Sequence, residues 1–282
     1  MPQCFAISAL RPPYTVNPIF KKGAAILRRG PLVARNILLA RLRRWPVSRI
    51  TGHWINEIPV YCVSLPTATE RRSLILSQVE NIGIRNFRFV DAVQASDLTY
   101  DKVASDGLYA SEICRHFHGR DLRLTEIACS ISHAKTYQLI SGSTAPWSLI
   151  IEDDALFRAR RLARFTWQQI PTDAQIVFLS SFLHERPPKD KISHHVYGGE
   201  SYAGSTAAYL ISREAAEVLA LSAIPVVHAA DGLLGRVTNR PDIVPERYRD
   251  IVRQPMLRSA IVHPELIYNG SVEYYHLSAI GK

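Results

Sequence analysis

Three consecutive carboxylates, Glu152-Asp153-Asp154, follow directly on the short apolar segment WSLII at residues 147–151. Carboxylates this close together raise one another's pKa unless a cation lies beside them. A divalent ion such as Mg²⁺ or Mn²⁺ removes that cost, because it prefers one or two carboxylates together with diphosphate oxygens and water. The triplet therefore predicts a divalent-metal site, with Asp153 and Asp154 as ligands, that stabilises charge on a departing nucleoside diphosphate.

The same triplet is also typical of a solvated turn or of the acidic first turn of a helix. Spacing alone favours that simpler interpretation. An apolar strand before the triplet favours the metal site, because nucleotide ligands of open α/β sheets bind at the carboxyl ends of the strands. The choice therefore depends on the elements that surround the triplet.

Those elements predict an α/β fold. The continuous apolar run IPVYCVSL at residues 58–65 is typical of a strand buried on both faces. A helix is predicted to follow, with a capping box at Thr67-Ala68-Thr69-Glu70 and a C-terminal cap at Gly83. Residues 87–90 have the pattern of a second strand, which completes a strand–helix–strand unit of the usual length, about 30 residues. This order predicts a mostly parallel sheet.

The rest of the chain continues the alternation of helices and strands after an irregular stretch predicted at residues 94–122. A capped helix is predicted from Thr125-Glu126 to Gly142. Further strands are predicted at residues 147–151, 175–180 and 205–212, and the last leads through the N-cap Ser212 into a helix at residues 213–221.

The net charge of +9 resides in the first 56 residues. They contain ten Lys and Arg and no acidic residue, whereas residues 57–282 contain 24 basic and 25 acidic residues. The chain is therefore predicted to comprise a basic N-terminal arm, residues 1–56, and one domain, residues 57–282. Such an arm fits an anionic surface, which attracts it over about one Debye length, ~8 Å at physiological salt. The alternative is a solvated leader without a partner.

Several classes of protein are disfavoured by the sequence. The near-neutral domain has no recognised nucleic-acid motif, which argues against nucleic acid as a partner. The four cysteines form no C-x-x-C pair, which disfavours a zinc knuckle and suits reduced thiols in the cytosol. No signal peptide or run of ~18 apolar residues is found, so a cytoplasmic protein without a membrane span is expected. His194 and His195 are rejected as a metal pair, because adjacent side chains on an extended segment point in opposite directions.

A series of blocks between about residues 58 and 231 resembles glycosyltransferase family 25, the lipooligosaccharide β-galactosyltransferases and their collagen-modifying relatives. In chain order the blocks are IPVYCVSLPTATERRSLILSQVENIG, FRFVDAV, LTEIACSISHAKTYQLI, PWSLIIEDDALF and YAGSTAAYLISREAAEVL. The positions that carry the resemblance are Arg71, Arg72, Asp91, Glu126, Cys129, Ser132, His133, the acidic triplet, Thr206, Tyr209 and Ser212.

This resemblance implies a Rossmann-like nucleotide-binding domain of the GT-A type and a defined reaction. The reaction is inverting transfer of a hexose, commonly galactose, from a uridine diphosphate (UDP) sugar with Mn²⁺ or Mg²⁺ as cofactor. The implied acceptor is a terminal sugar of a lipid-linked oligosaccharide, the core of a lipooligosaccharide or lipopolysaccharide. Such acceptors are assembled on the cytoplasmic membrane face, so the enzyme is expected in the cytoplasm, peripheral at the inner membrane through residues 1–56.

The resemblance also implies which residues bind the donor. Arg71 and Arg72, at the start of the first helix, would bind nucleotide phosphate or ribose through guanidinium groups and nearby backbone amides. Surface salt bridges are the alternative for these two residues. His133 would hydrogen-bond the donor or the acceptor, and a satisfied core histidine is the alternative. The other donor-binding positions carried over are Asp91, Glu152, Asp153 and Thr206.

Inverting transfer requires one carboxylate to accept the proton of the attacking hydroxyl. Asp231 is the first candidate, because it is the acid nearest to Pro225-Val226-Val227-His228, which stands where the family has a Pro-x-Asp element. Glu126 and Asp91 are the alternatives. This departure, and Ser64-Leu65 where the family has Asn-Leu, leave a second function open. It is that of a catalytically inactive relative that binds carbohydrate or acts as a scaffold.

Deleting residues 1–49 is expected to leave a folded domain that still hydrolyses the donor but binds anionic membranes more weakly. Each Lys or Arg near an anionic bilayer contributes about 1 kcal/mol, and all ten basic residues of the arm are removed. Flotation with phosphatidylglycerol vesicles at low and high salt measures the difference. Equal flotation of both proteins would rule out the membrane role, and collapse of the truncated protein would assign the arm's apolar residues to the core.

Overall fold

The computed structural model describes residues 53–180, 190–198, 204–238, 245–252 and 255–270 of the chain. Nearly all of the predicted basic arm, residues 1–52, lies outside them. Its last residues, Trp54–Asn56, form a short 3-10 helix in which Ile55 is buried in the core. Within the described part of the chain, no helix combines the length and the apolar character needed to cross a membrane.

The described residues form alternating helices and strands. The helices are α1 (Thr69–Ile82), α2 (Tyr100–Ser105), α3 (Ser111–His118), α4 (Leu124–Ser141), α5 (Ala159–Leu162), α6 (Arg213–Ser222) and α7 (Ala230–Thr238). The strands are β1 (Val60–Ser64), β2 (Phe87–Asp91), β3 (Trp147–Glu152), β4 (Ala155–Phe157), β5 (Ile176–Phe178), β6 (Lys191–Ser193), β7 (Val196–Gly198), β8 (Ala208–Ser212), β9 (Ser259–Val262) and β10 (Ile267–Asn269).

Eight strands form one sheet in the order β2-β1-β3-β8-β5-β9-β7-β6, and β4 pairs with β10 in a separate antiparallel ladder. Strands β2, β1 and β3 are parallel neighbours, whereas β8 runs antiparallel between β3 and β5. Among the eight strands in the described part of the chain, β7 and β8 run opposite to the other six. The predicted α/β fold with a large, mostly parallel sheet is thus confirmed.

Both faces of the central strands are buried, as the continuous apolar run in β1 predicts. Val60 and Cys62 belong to the core on one face, which also contains Ile75 and Val79 of α1. Tyr61 and other alternating residues of the central strands belong to the opposite core, which is covered by α4 and α6. A strand enclosed in this way has a fixed position, so the residues at its carboxyl end are fixed as well.

The observed ends of α1 and α4 can be compared with the predicted helix caps. The capping box predicted for α1 is wrong, because Ala68 is its N-cap and no side chain caps it. Helix α4 begins at Leu124, one residue before the predicted start, and Glu126 caps it by accepting a hydrogen bond from the amide of the N-cap Arg123. The predicted end of α1 is confirmed, because Gly83 adopts the left-handed φ of 85° that favours glycine.

The irregular stretch predicted at residues 94–122 is also wrong, because it contains α2 and α3. These helices have six and eight residues, too few for a helical repeat to be visible in the sequence. Val103 of α2 and Leu122 pack with Ile127 and Ile131 of α4 in a small separate core. The stretch therefore buttresses α4, the helix that carries Glu126 and His133.

The basis for rejecting His194 and His195 as a metal pair is also wrong. The two residues form the tight turn between β6 and β7, where His195 has a left-handed φ of 66°. Their rings consequently lie side by side, with centroids 3.8 Å apart, rather than on opposite sides of an extended segment.

Candidate functional site

Four strands bring polar residues to one edge of the sheet. The parallel strands β1, β2 and β3 end there, with Ser64 paired in register with Asp91 and Glu152 one position from Ser64. The antiparallel strand β8 begins at the same edge, where the Glu152 amide donates to the carbonyl of Ala207 at 3.0 Å. The structure therefore brings Thr206 beside the predicted triplet.

Asp153 and Asp154 form the turn between β3 and β4. The turn is not solvated, because the two residues are only 8% and 5% exposed. The Gly270 amide, just after β10, donates to the backbone oxygen of Asp154 at 2.9 Å. The alternative prediction of a solvated turn is therefore correct that the two aspartates form a turn, but wrong that the turn is solvated.

Both carboxylate oxygens of Asp153 contact groups from the neighbouring elements. The Ser64 hydroxyl donates to Oδ2 at 2.7 Å, and the Arg71 guanidinium lies 2.9 Å from Oδ1. Burial raises the pKa of Asp153 above its usual value, although the Ser64 hydrogen bond and the charge of Arg71 act in the opposite direction. Additional positive charge beside this carboxylate would therefore stabilise its ionised form.

Arg72 contacts a different set of groups at the same edge. Its guanidinium donates to the carbonyl of Ser64 at 2.9 Å, to the Ser64 hydroxyl at 3.2 Å and to Asp91 at 2.5 Å. The guanidinium also stacks over the ring of Phe89, 4.5 Å from its centroid. A salt bridge, such as this one with Asp91, was the alternative to nucleotide binding for Arg72. The contacts with Ser64 and Phe89 fix the guanidinium at the sheet edge.

Glu152 is held by residues of α4 and β8. The Thr206 hydroxyl donates to Oε1 of Glu152, and Nε2 of His133 lies 3.5 Å from the same oxygen. Burial alone would raise the pKa of Glu152, but His133 and the Thr206 hydrogen bond lower it below its usual value. The other ring nitrogen of His133 hydrogen-bonds the hydroxyl of Tyr209 at 3.0 Å. His133 is therefore a buried histidine that faces a carboxylate, and its contact with donor or acceptor stays a prediction.

Asp231 lies in the first turn of α7, which packs against α4. The residue is half-buried, and its carboxylate accepts a hydrogen bond from the Gly232 amide at 2.8 Å. Burial, followed by the charges of Glu152 and Asp231, raises the pKa of the Cys129 thiol on α4 well above its usual value. The carboxylates of Glu152 and Asp231 therefore both raise the pKa of Cys129 on α4.

Glu126 has the contacts of a helix-capping residue. Its two oxygens accept from the Arg120 guanidinium at 2.9 and 3.0 Å, and Oε2 accepts from the Arg123 amide at 2.8 Å. Burial opposes ionisation of this group, but the two arginines lower the pKa of Glu126 to about 2. The contacts with Arg120 and Arg123 hold its carboxylate at the amino end of α4.

Two residues at this edge were not predicted as site residues, Ser64 and Asn269. Asn269 belongs to β10 and its amide donates to the Ser205 hydroxyl at 3.3 Å, beside Thr206. Ser64 was noted only as a departure from the family pattern. Its position at the end of a buried strand, level with Asp91, was the signal that could have identified it.

A group of three ligand-type side chains also meets at the end of β3. The ligand atoms of Cys129, His133 and Glu152 lie within 4.8 Å of one another. Two of the residues are four apart on α4, so they project from the same face of the helix. The predicted ligands Asp153 and Asp154 follow Glu152 directly in the chain. A pair of carboxylate ligands therefore lies next to a group with one sulfur, one nitrogen and one oxygen ligand.

Comparison with known proteins identifies relatives of the chain. Residues 57–234 match the family described as glycosyltransferase family 25 (LPS biosynthesis protein). The chain is 25% identical over 186 residues to a glycosyltransferase 25 family member of Aedes aegypti, covering 59% of this chain and 30% of that protein. It is 27% identical over 218 residues to procollagen galactosyltransferase 1 of Danio rerio, covering 74% and 36%.

A third relative is the lacto-N-neotetraose biosynthesis glycosyltransferase LgtB of Neisseria gonorrhoeae. The identity is 30% over 170 residues, which cover 55% of this chain and 57% of LgtB. The matched parts thus span about a third of the length of the first two relatives and just over half of LgtB.

Replacing Glu126 by Gln is expected to destabilise the protein at neutral pH by on the order of 1–2 kcal/mol, less than the full pKa shift implies, because solvent screens the exposed guanidinium groups of Arg120 and Arg123. The pKa of Glu126 is lowered from 4.5 to about 2, so its contribution is present above about pH 4.5 and is lost as the pH falls towards 2. Urea unfolding of wild type and variant at several pH values measures the difference. The exposed Glu80→Gln on α1 is the matched control. A wild-type–variant difference that does not change between neutral pH and about pH 2 would contradict this role.

Proposed function

The chain belongs to glycosyltransferase family 25, and on that premise we propose that it is an inverting glycosyltransferase. The proposed reaction transfers a hexose, galactose, from a UDP-sugar to a terminal sugar of a lipooligosaccharide or lipopolysaccharide core. The family description as an LPS biosynthesis protein supports the acceptor, and a relative named as a galactosyltransferase supports the sugar. The observation that carries the proposal is the edge of the sheet at which a buried acidic turn meets two arginines.

In this proposal the donor diphosphate binds beside the start of α1. The backbone amides of a helix N-terminus and two guanidinium groups attract a diphosphate strongly. Arg71 can exchange its contact with Asp153 for a phosphate oxygen. The contacts of Arg72 with Ser64 and Asp91 fix its guanidinium, which suits binding of the ribose or of a phosphate. The hydroxyl of Thr206 and the carboxylate of Glu152 complete the donor site, with His133 behind them.

The carboxylates of Asp153 and Asp154 suit Mn²⁺ or Mg²⁺, because both ions prefer carboxylate oxygens. The raised pKa of Asp153 supports this assignment, because the ionised form of a buried carboxyl gains most from a nearby cation. A bound divalent ion would neutralise charge on the departing diphosphate. Asp153 and Asp154 would then hold that charge in a fixed position relative to Arg71.

Asp231 is the proposed catalytic base. Its carboxylate would take the proton of the acceptor hydroxyl while the hydroxyl oxygen bonds to the anomeric carbon and the bond to the diphosphate breaks. Its half-buried position beside α4 supports this role. Glu126 and Asp91 are weaker alternatives, because each carboxylate is already held by an arginine.

The proposed acceptor is lipid-linked, so the enzyme would act at the cytoplasmic face of the inner membrane. The ten basic residues of the arm, residues 1–56, support peripheral binding to anionic lipid. Nucleic acid remains disfavoured as a partner, because residues 57–282 contain nearly equal numbers of basic and acidic residues.

Asp154→Asn is expected to lower metal-dependent transfer on the order of 10²-fold, because an amide oxygen holds a divalent ion poorly against a diphosphate. Steady-state transfer and donor hydrolysis over a Mn²⁺ titration measure the effect. Asp173→Asn, an exposed residue paired with Arg258, is the matched control. Circular dichroism checks that both variants are folded.

Unchanged donor hydrolysis in Asp154→Asn would falsify the metal assignment. The alternative function gives a different result, because an inactive carbohydrate-binding or scaffolding relative would show no donor hydrolysis in the wild type. A screen of wild-type hydrolysis across nucleotide sugars, with and without Mn²⁺, therefore precedes the mutants.

Asp231→Asn is expected to reduce kcat strongly while the affinity for UDP stays within about twofold, because a base acts on the acceptor and not on the nucleotide. Kinetics at saturating donor and calorimetric titration with UDP and Mn²⁺ separate the two quantities. Asp106→Asn, an exposed residue at the end of α2, serves as control. Transfer at the wild-type rate would show that the base lies elsewhere, and Glu126 would be tested next.

A further inference from the structure

Cys129, His133 and Glu152 are gathered where α4 meets the end of β3. Cys129 and His133 are separated by one helical turn, and Glu152 is the last residue of β3. Their ligand atoms lie within 4.8 Å of one another, close enough for all three to contact one ion. A sulfur, a nitrogen and an oxygen ligand are thus combined at one point.

The contacts of His133 indicate what kind of ligand this group of side chains would bind. The residue is 1% exposed, and its Nδ1 hydrogen-bonds the Tyr209 hydroxyl at 3.0 Å. Its Nε2 is buried, forms no hydrogen bond and lies 3.5 Å from Oε1 of Glu152. This contact with Glu152 is too long for a good hydrogen bond, so the buried nitrogen is poorly satisfied, whereas a metal ion would use its lone pair. Metal-binding histidines are commonly held in this way, with the second ring nitrogen bonded to a neighbouring group.

The ligand types select the metal. Mg²⁺ and Mn²⁺ prefer oxygen ligands, whereas thiolate and imidazole ligands suit Zn²⁺. We propose that Cys129, His133 and Glu152 form a Zn²⁺ site that joins α4 to β3, with water as the fourth ligand. The Cys129 thiol releases its proton to solvent when the ion binds, so that Zn²⁺ is held by a thiolate, a neutral imidazole and a carboxylate.

Nearby carboxylates favour a cation beside Cys129, and Glu152 links this group to the proposed donor site. The negative charges of Asp231 and Asp154 act on Cys129, in addition to that of Glu152. The side chain of Glu152 is partly exposed, which opens the group to solvent. Because Thr206 contacts the same oxygen of Glu152, Zn²⁺ would compete with that hydrogen bond. Zn²⁺ is therefore expected to inhibit transfer without displacing an ion bound to oxygen ligands alone.

Co²⁺ substitution in the full-length, metal-free protein tests the proposal, because a Co²⁺–thiolate bond has a charge-transfer band in the near ultraviolet. The expected result is saturation of that band at one equivalent of Co²⁺, with loss of the band on addition of Zn²⁺ and no loss with excess Mg²⁺. Cys129→Ser is expected to abolish the band. Cys114→Ser, which changes a buried thiol on α3, and Cys4→Ser are matched controls that keep it.

Two further measurements keep the test decisive if Cys129→Ser does not fold. Glu152→Gln is expected to keep the charge-transfer band but to weaken Co²⁺ binding by 10-fold or more, on the order of a lost ligand contact. X-ray absorption of the Zn²⁺-loaded wild type should show one sulfur at about 2.3 Å and nitrogen or oxygen at about 2.0–2.1 Å. Absorption spectra with only nitrogen and oxygen neighbours, or an unchanged band in folded Cys129→Ser, would overturn the proposal. Neither measurement uses donor or acceptor, so the outcome is independent of the proposed transfer reaction.

Discussion

The burial of Asp153 and Asp154 at the end of β3, beside the partly exposed Glu152, is the constraint on which the rest of the site depends. A buried carboxylate without partners costs several kcal/mol, so each one requires hydrogen bonds or positive charge from a neighbouring element. Ser64 and Arg71 supply these to Asp153, and Thr206 supplies a hydrogen bond to Glu152. The antiparallel direction of β8 follows the same logic, because only its amino end can bring Thr206 to the edge where β3 ends.

The pKa values of the adjacent carboxylates Asp153 and Glu152 are shifted in opposite directions, because burial outweighs the partners of Asp153 but not those of Glu152. Burial raises the pKa of Asp153, whereas His133 and Thr206 lower that of Glu152 in spite of burial. The ionised form is therefore favoured for Glu152, whereas the ionised form of Asp153 gains more from an added cation. This difference supports separate roles for the carboxylates. Asp153 and Asp154 would bind an ion with oxygen ligands, and Glu152 would contribute both to the donor site and to the group formed with Cys129 and His133.

The sequence predicts the parts of this arrangement that depend on local pattern. The apolar runs of β1 and β3 and the glycine after α1 identify the strand–helix–strand unit, and the end of a buried strand identifies the acidic triplet. The contacts of Asn269 and Gly270 with the site could not be predicted, because they result from pairing of β10 with β4 over more than a hundred residues. The short helices α2 and α3 and the turn at His194 and His195 were missed because their geometry depends on tertiary packing rather than on periodicity.

A crystal structure of the protein with UDP and Mn²⁺, with anomalous data that locate the ion, would place the metal and the diphosphate relative to the acidic turn. We expect an anomalous peak in contact with the carboxylates of Asp153 and Asp154 and a diphosphate beside Arg71, at the edge where β1, β2 and β3 end. The aromatic hollow at the opposite edge, lined by Trp54, Trp147 and Trp167, provides an internal comparison. A diphosphate bound in that hollow, or a Mn²⁺ ion that contacts neither aspartate, would show that the donor and metal sites lie elsewhere.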